Sequence, residues 1–186
     1  VQEAGLVVVV HIGATGFNAM QAAPWGEPAN PPSHRFTPFN TFVGMGERTI
    51  IDQIAALVFH NLPDRFPGLR MLIVEYGAAW LPHLLKTLDK IYRLGDHRSR
   101  WAFGKPSLKP SETFQRQFRI VPFFEDDIAA VARAAGVQCV LHGSDYPHPE
   151  GLHASADMLR ELGSFSAAEQ RRIMRGNAAE LLGLAP

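Results

Sequence analysis

Short apolar runs alternate with amphipathic segments along this chain. Each apolar run has the length of a buried β-strand, and the runs lie at residues 6–11, 70–75, 118–122 and 137–142. In the first run Leu6 precedes four consecutive valines, which predicts a strand buried on both faces. The intervals show helical spacing, at residues 47–61, 78–94, 111–117 and 125–135. This alternation predicts an α/β fold with four parallel strands and crossover helices.

Two further segments complete the chain. Residues 14–46 are rich in Pro, Gly and Asn and have no apolar period; their aromatic residues, including Trp25, predict a long loop or lid that packs on the fold or meets a partner. Residues 153–186 predict C-terminal helices. We therefore expect one domain over residues 1–186. Because a domain rarely begins on its most buried strand, we also expect that sequence precedes Val1.

Composition and charge exclude several classes of function. The chain has 186 residues, with 18 basic and 18 acidic side chains, so its charge does not favour a nucleic-acid or membrane-surface partner. No apolar run reaches transmembrane length. The single cysteine, Cys139, lies in the fourth apolar run and predicts a buried core thiol. We expect a cytoplasmic protein whose partner is a small molecule.

Polar side chains follow three of the four predicted strands. His11 ends the first, Glu75 ends the second, and His142, Asp145 and His148 follow the fourth. The carboxyl ends of parallel strands share one rim, so we expect these groups to converge there. Imidazole and carboxylate ligands suit zinc, with manganese or iron as alternatives. The sequence therefore predicts a metal or proton-transfer site.

Two other interpretations of the same loop stay open. Asp145 is also suited to closing a turn or capping a helix. Ser144 lies beside an acid and two histidines, as a serine hydrolase would require. However, the stretch from Gly143 to Pro147 lacks the second glycine of a nucleophile elbow, which disfavours that reading.

Five short motifs resemble the amidohydrolase-related family that includes aminocarboxymuconate-semialdehyde decarboxylase. They are Asp64–Arg70, Glu75–Trp80, Phe124–Asp127, Gly143–His148 and Gly176–Glu180. The resemblance implies the C-terminal half of a metal-dependent (β/α)8 TIM barrel that binds one divalent ion.

The resemblance also implies roles for individual residues. His11 matches a metal ligand, and Asp145 matches a residue that is both ligand and proton carrier. Glu75 and His148 would act in catalysis by orienting the substrate or supporting the ligands. The residues that we expect to contact the substrate are Trp80, His142 and Trp25.

The activity implied is hydrolysis or non-oxidative decarboxylation of a small organic substrate, for which an aromatic or carboxylated compound is our expectation. One feature of the family is missing, because no His-x-His pair occurs in the chain. A zinc site needs about three or four protein ligands. The alternative is therefore an incomplete, non-catalytic barrel fragment that serves as a structural or assembly module. In either case we expect a homo-oligomer or pairing with a missing N-terminal half.

Overall fold

Three parallel strands form the central sheet in the computed structural model of this protein. The structure describes residues 1–13, 16–98, 101–148 and 151–184, and at 96–98 it describes the backbone alone. The strands lie in the order β1-β2-β3, with β1 at Val7–His11, β2 at Arg70–Val74 and β3 at Phe118–Ile120. The register places His11 opposite Val74. The α/β class with parallel strands is confirmed.

Helices follow or separate the strands much as the apolar spacing predicts. The α-helices are α1 (Pro38–Gly44), α2 (Arg48–Phe59), α3 (Leu62–Arg65), α4 (Leu81–Arg98), α5 (Pro110–Gln117), α6 (Ile128–Ala135), α7 (Met158–Glu161), α8 (Ala167–Arg171) and α9 (Asn177–Leu182). Among the described residues, no helix combines the length and the apolar character needed to cross a membrane.

The hydrophobic core joins the sheet to α2, α4 and α6. Met71 and Ile73 alternate along β2 and are almost completely buried, as the two-residue period of a strand requires. Phe114 within α5 stacks on Phe118 at the start of β3, with ring centroids 5.1 Å apart. Cys139 is fully buried, and burial raises the pKa of its thiol to about 11. All of these residues belong to the same hydrophobic core.

The prediction that the first strand is buried on both faces is wrong. No residue of β1 is fully buried, and Val9 is 54% exposed. Within the described ranges β1 pairs only with β2, so its other edge is uncovered. Val8 and Val10 pack partly against the core. The run of valines is therefore apolar, although the described part of the chain does not enclose it.

The predicted fourth strand at 137–142 is also wrong in most of its length. Val137–Cys139 form a single helical turn, and one parallel bridge joins Val140 to Ile120. The backbone groups find other partners. The side-chain amide of Asn177 donates to the carbonyl oxygens of Val137 and Val140, at 2.7 Å each. Since these carbonyls are already bound, the segment ends as a loop instead of continuing as a strand.

The predicted long loop at 14–46 contains more regular structure than its composition suggests, although residues 14 and 15 lie outside the described part. Single helical turns and α1 occupy much of it. Thr37 caps α1 in a reciprocal capping box with Asn40. The side chain of Asn40 also donates to Asn18, and both are buried. The segment is therefore held by its own polar contacts.

The C-terminal segment contains helical structure at residues 155–161 and 167–182, whereas residues 185 and 186 lie outside the described part. Ser166 is the N-cap of α8, where its side chain accepts from the backbone N–H of Glu169 in a reciprocal capping box. The single turn Arg172–Gly176 leads into α9. This turn carries the carbonyl of Ile173, which accepts from the backbone N–H of His142.

Asn177→Ala is expected to destabilise the fold, because Asn177 is 1% exposed and its loss removes the donor to two buried carbonyls. We expect the free energy of unfolding to fall by about 2 to 4 kcal/mol, measured by urea denaturation. Glu180→Ala is a matched control on the same helix, since its side chain is 61% exposed. It should change stability by less than about 1 kcal/mol, and an equal loss in both variants would contradict the assignment.

Candidate active site

The first part of the site is an ion pair between two strand ends. His11 is the last residue of β1, and Glu75 follows β2 directly. The parallel register sets these strand ends side by side. The Nε2 atom of His11 lies 3.0 Å from Oε2 of Glu75. The rim of the sheet therefore brings together two groups that are 64 positions apart, as the strand-end argument predicts.

The second part is the loop that follows Val140. Ligand atoms of Glu75, Asp145 and His148 all lie within 4.8 Å of one another. A tight turn causes this proximity, because the backbone N–H of His148 donates to the carbonyl of Asp145 at 2.9 Å. The N–H of Leu152 then donates to the carbonyl of Ser144 at 2.8 Å and closes the loop. The loop therefore brings Asp145 and His148 close to Glu75, which follows β2.

Both acids of this cluster have left-handed backbone conformations. Glu75 has φ 60° and Asp145 has φ 57°, a region that costs a side-chain-bearing residue about 1 to 3 kcal/mol. Asn61 is the other non-glycine residue with positive φ in the described ranges. Such strain persists only where the surroundings hold it, and it concentrates at functional sites. The observation marks Glu75 and Asp145 as a candidate site independently of their charge.

A cavity of about 330 Å³ opens beside the cluster. Its polar end is formed by His11, Glu75, Ser144 and Asp145, and its wall is mainly apolar. The remaining lining residues are Val74, Val121, Pro122, Phe123, Phe124, Glu125, Gly143, Gly151 and Leu152. A cavity of this size accommodates a small organic molecule. The carboxylates would face one end of such a molecule while its body contacted apolar side chains.

The electrostatics of the cluster favour a bound cation. Burial raises the pKa of Glu75, and a hydrogen bond with Asp145 raises it further, while the charge of His11 acts in the opposite direction. Two carboxyl groups in contact resist losing both protons. A divalent ion would relieve that repulsion, and two carboxylates with an imidazole are ligands that such ions accept. Glu75, Asp145 and His148 therefore fit a divalent metal, with His11 adjacent.

Three residues that we expected to contact substrate do not line the cavity. Trp80 is 5% exposed and its Nε1 donates to the carbonyl of Tyr76 at 3.0 Å, so it belongs to the core. The Nε2 atom of His142 lies 2.6 Å from Oγ of Ser155. Trp25 is 79% exposed. Their predicted contact with substrate has no support in this geometry.

Burial lowers the pKa of His142, and its Nδ1 atom is buried without a hydrogen-bond partner. The contact with Ser155 joins the start of the site loop to the segment before α7. His142 is thus adjacent to the site in sequence but directed away from the cavity. Although His142 precedes Asp145 by only three residues, the sequence does not indicate that the two side chains have different surroundings.

The segment after β3 carries lining residues that the sequence argument missed. Phe123, Phe124 and Glu125 line the cavity, whereas the sequence predicted site residues only after the first, second and fourth strands. The rule that all parallel strand ends share a rim would have found them. By contrast, the Oγ of Ser144 accepts from the N–H of Tyr146 at 3.4 Å, which is a turn contact.

Parallel strands with acids and histidines at their carboxyl ends, beside a cavity, are an arrangement that is common in α/β barrels. The family model described as amidohydrolase matches residues 1–184, and the chain belongs to that family. The family resemblance of the short motifs is thereby confirmed.

Similar proteins include decarboxylases. A 2-amino-3-carboxymuconate-6-semialdehyde decarboxylase of Dictyostelium discoideum is 25% identical over 146 residues, which are 77% of this chain and 39% of the relative. An amidohydrolase structure from Mycobacterium avium subsp. paratuberculosis K-10 is 32% identical, with a TM-score of 0.82 over 98% of this chain and 44% of that one. The chain thus spans less than half the length of these two relatives.

A third similar structure is a dihydroxybenzoic acid decarboxylase from Polaromonas sp. JS666 with bound manganese and the inhibitor 2-nitroresorcinol. It is 17% identical, with a TM-score of 0.70 over 98% of this chain and 51% of that chain. At this identity the likeness shows the fold alone. It agrees with the parallel α/β arrangement described above.

Glu75→Gln tests the raised pKa of Glu75 in protein held metal-free by a chelator. A carboxyl whose folded pKa is raised contributes stability that is present below its ordinary value of 4.5 and is lost as pH rises through the folded value. The variant should therefore gain stability relative to wild type between pH 4 and pH 7. Urea denaturation at the two pH values measures the difference.

Glu169→Gln provides a control of opposite sign. Hydrogen bonds from the side chain and backbone of Ser166 lower the pKa of Glu169, so its contribution is present above the ordinary value and is lost as pH falls. This variant should lose stability relative to wild type on going from pH 4 to pH 7. If Glu75→Gln also lost stability relative to wild type over this pH range, the raised pKa of Glu75 would be refuted.

Proposed function

We propose that this chain supplies the metal-binding and proton-transferring residues of an amidohydrolase-family decarboxylase. The observation that carries the proposal is the cluster of Glu75, Asp145 and His148, with ligand atoms within 4.8 Å of one another, of which Glu75 and Asp145 line a largely apolar cavity. The relatives named as decarboxylases support this choice over hydrolysis. Because the chain spans 39% and 51% of the length of these two relatives, the complete activity is proposed for the chain together with the rest of a barrel.

The proposed cofactor is a divalent ion held by Glu75, Asp145 and His148. His11, the ligand expected from the sequence, instead lies beside Glu75, because its two ring nitrogens contact Glu75 and the carbonyl oxygen of Ile12. Manganese is the better choice, since oxygen-rich donor sets suit it and the dihydroxybenzoic acid decarboxylase contains it. Zinc, our expectation from the sequence, has no support among these relatives. When bound, the ion would supply Lewis acidity toward a substrate oxygen.

The proposed reaction breaks one carbon–carbon bond and forms one carbon–hydrogen bond. A carboxylate leaves as CO2, the bonding electron pair stays on the substrate carbon, and a proton adds to that carbon. Asp145 is placed to deliver this proton, because it lines the cavity and shares a hydrogen bond with Glu75. His11 contacts Glu75 at 3.0 Å and would keep that carboxyl oriented toward Asp145.

The cavity supports a flat, largely apolar substrate of about one ring. Val121, Phe123, Phe124 and Leu152 provide apolar surface beside the acids, and the volume of about 330 Å³ is near the lower end for small-molecule sites. We therefore propose an aromatic or unsaturated carboxylic acid as the substrate class. A cytoplasmic location stays a prediction that no observation tests.

The open edge of β1 favours assembly with further strands. Leu6 and Val9 are 60% and 54% exposed, and an uncovered apolar edge strand tends to pair with another chain or segment. We propose that the three strands belong to a closed barrel, completed by an N-terminal half or by a second copy. Light scattering that returned a well-behaved monomer of 20.5 kDa would exclude the second copy.

Asp145→Asn tests the proposed roles of the acid, because it keeps the size of the side chain and removes its charge and basic oxygen. We expect Mn²⁺ affinity to fall in isothermal titration. Decarboxylation of dihydroxybenzoic acids should slow by at least about a hundredfold, the lower end for a positioned acid–base group. In D2O the product of the active protein should carry deuterium at the carbon that lost CO2.

His148→Asn should also weaken Mn²⁺ binding, since His148 lies within ligand distance of both acids. Ser144→Ala is the comparison, because its hydroxyl is occupied by the N–H of Tyr146 and should matter little. If Ser144→Ala abolished turnover while Asp145→Asn retained metal and activity, the protein would be a serine hydrolase. Release of an amine or alcohol from an aromatic amide or ester, without CO2 from the dihydroxybenzoic acids, would indicate hydrolysis.

A further inference from the structure

The turns after β2 and β3 are joined by one carboxylate. Oδ2 of Asp126 accepts from the backbone N–H of Ala78 at 2.7 Å and from the N–H of Phe123 at 2.8 Å. Ala78 is fully buried and follows Glu75 by three residues. Hydrogen bonds from N–H groups to an ionised carboxylate are about twice as strong as neutral ones. One atom therefore ties the backbone that carries Glu75 to the backbone that carries the cavity wall.

The tied segment has a backbone that requires restraint. Glu75 has φ 60° and Gly77 has φ 59°, so two of three consecutive residues are left-handed, of which one carries a side chain. A Cβ at Gly77 would lie 2.7 Å from Cδ2 of Phe123 and 3.3 Å from Oδ2 of Asp126. The turn is therefore pressed against both groups. Left-handed conformations at non-glycine residues persist only when neighbouring contacts hold them.

Helix capping does not account for Asp126. The N-cap of α6 is the next residue, Asp127, whose Oδ1 accepts from the N–H of Ala130 at 2.8 Å. Asp126 takes no part in that cap with its side chain, and its carboxylate oxygen is directed to the turns instead. Adjacent aspartates thus have separable tasks, and each can be removed without removing the other.

We propose that Asp126 is a positioning residue that holds Glu75 in the orientation needed for metal binding and proton sharing. The inference rests on the proposed function, because Glu75 is there assigned to the metal. It extends that function by a residue that does not line the cavity. Asp126 acts through the backbone of Ala78, while the same oxygen holds Phe123 against the cavity. Positioning matters because a displacement of about 1 Å can slow a reaction by about a hundredfold.

The test compares Asp126→Ala with Asp127→Ala in the full chain. Asp126→Ala should lower Mn²⁺ affinity by about tenfold to a hundredfold, the range for residues that orient metal ligands. In the assembled barrel it should also lower kcat more than it raises KM. Asp127→Ala should lower the unfolding midpoint through loss of the cap and leave Mn²⁺ affinity unchanged. Asp126→Asn should recover most of the affinity, because the amide oxygen still accepts hydrogen bonds.

Hydrogen exchange separates failure of this inference from failure of the proposed function. The amides of Ala78 and Phe123 should exchange faster in Asp126→Ala but not in Asp127→Ala. Unchanged exchange, or equal losses of Mn²⁺ affinity in the two alanine variants, would overturn the positioning role. A wild-type chain without Mn²⁺ affinity would overturn the proposed metal site, and exchange would then decide whether Asp126 ties the turns.

Discussion

The approach of two carboxyl groups at one rim of the sheet is the constraint on which this structure depends. Glu75 and Asp145 share a hydrogen bond that, with burial, raises the pKa of Glu75. Both also carry left-handed backbones. Charge repulsion and backbone strain oppose this arrangement, so it exists only because the surrounding contacts maintain it. Such an arrangement is costly for a structural element and appropriate for a site that receives a cation or a shared proton.

The contacts that maintain it come largely from polar side chains acting on backbone groups. Asp126 binds two N–H groups in the turns after β2 and β3. Asn177 binds two carbonyls before the loop that carries Asp145. In both places one side chain satisfies two backbone groups that lie outside the three strands, and so fixes the segments from which the acids project.

Family membership and site geometry answer different questions. The amidohydrolase family model covers residues 1–184, which establishes ancestry and fold. The cavity, its apolar wall and the acid pair are features of this chain, and they support the proposed substrate class. Within the described residues the outer edge of β1 is unpaired. The chain also spans only 39% and 44% of the length of two of its relatives.

The sequence by itself determined the parallel α/β class and the strand ends at which His11 and Glu75 lie, because strand and helix periods are local properties. It also indicated the loop of Asp145 and His148. Only the tertiary structure decided which polar groups face the cavity. His142 lies three residues from Asp145 yet contacts Ser155, and Trp80 lies five residues from Glu75 yet contacts the backbone of Tyr76. Burial of β1 and extension of the fourth run likewise depend on distant partners. Among the described residues β1 has no partner on its outer edge, and the fourth run binds the side-chain amide of Asn177. Neither fact leaves a periodic signal in the chain.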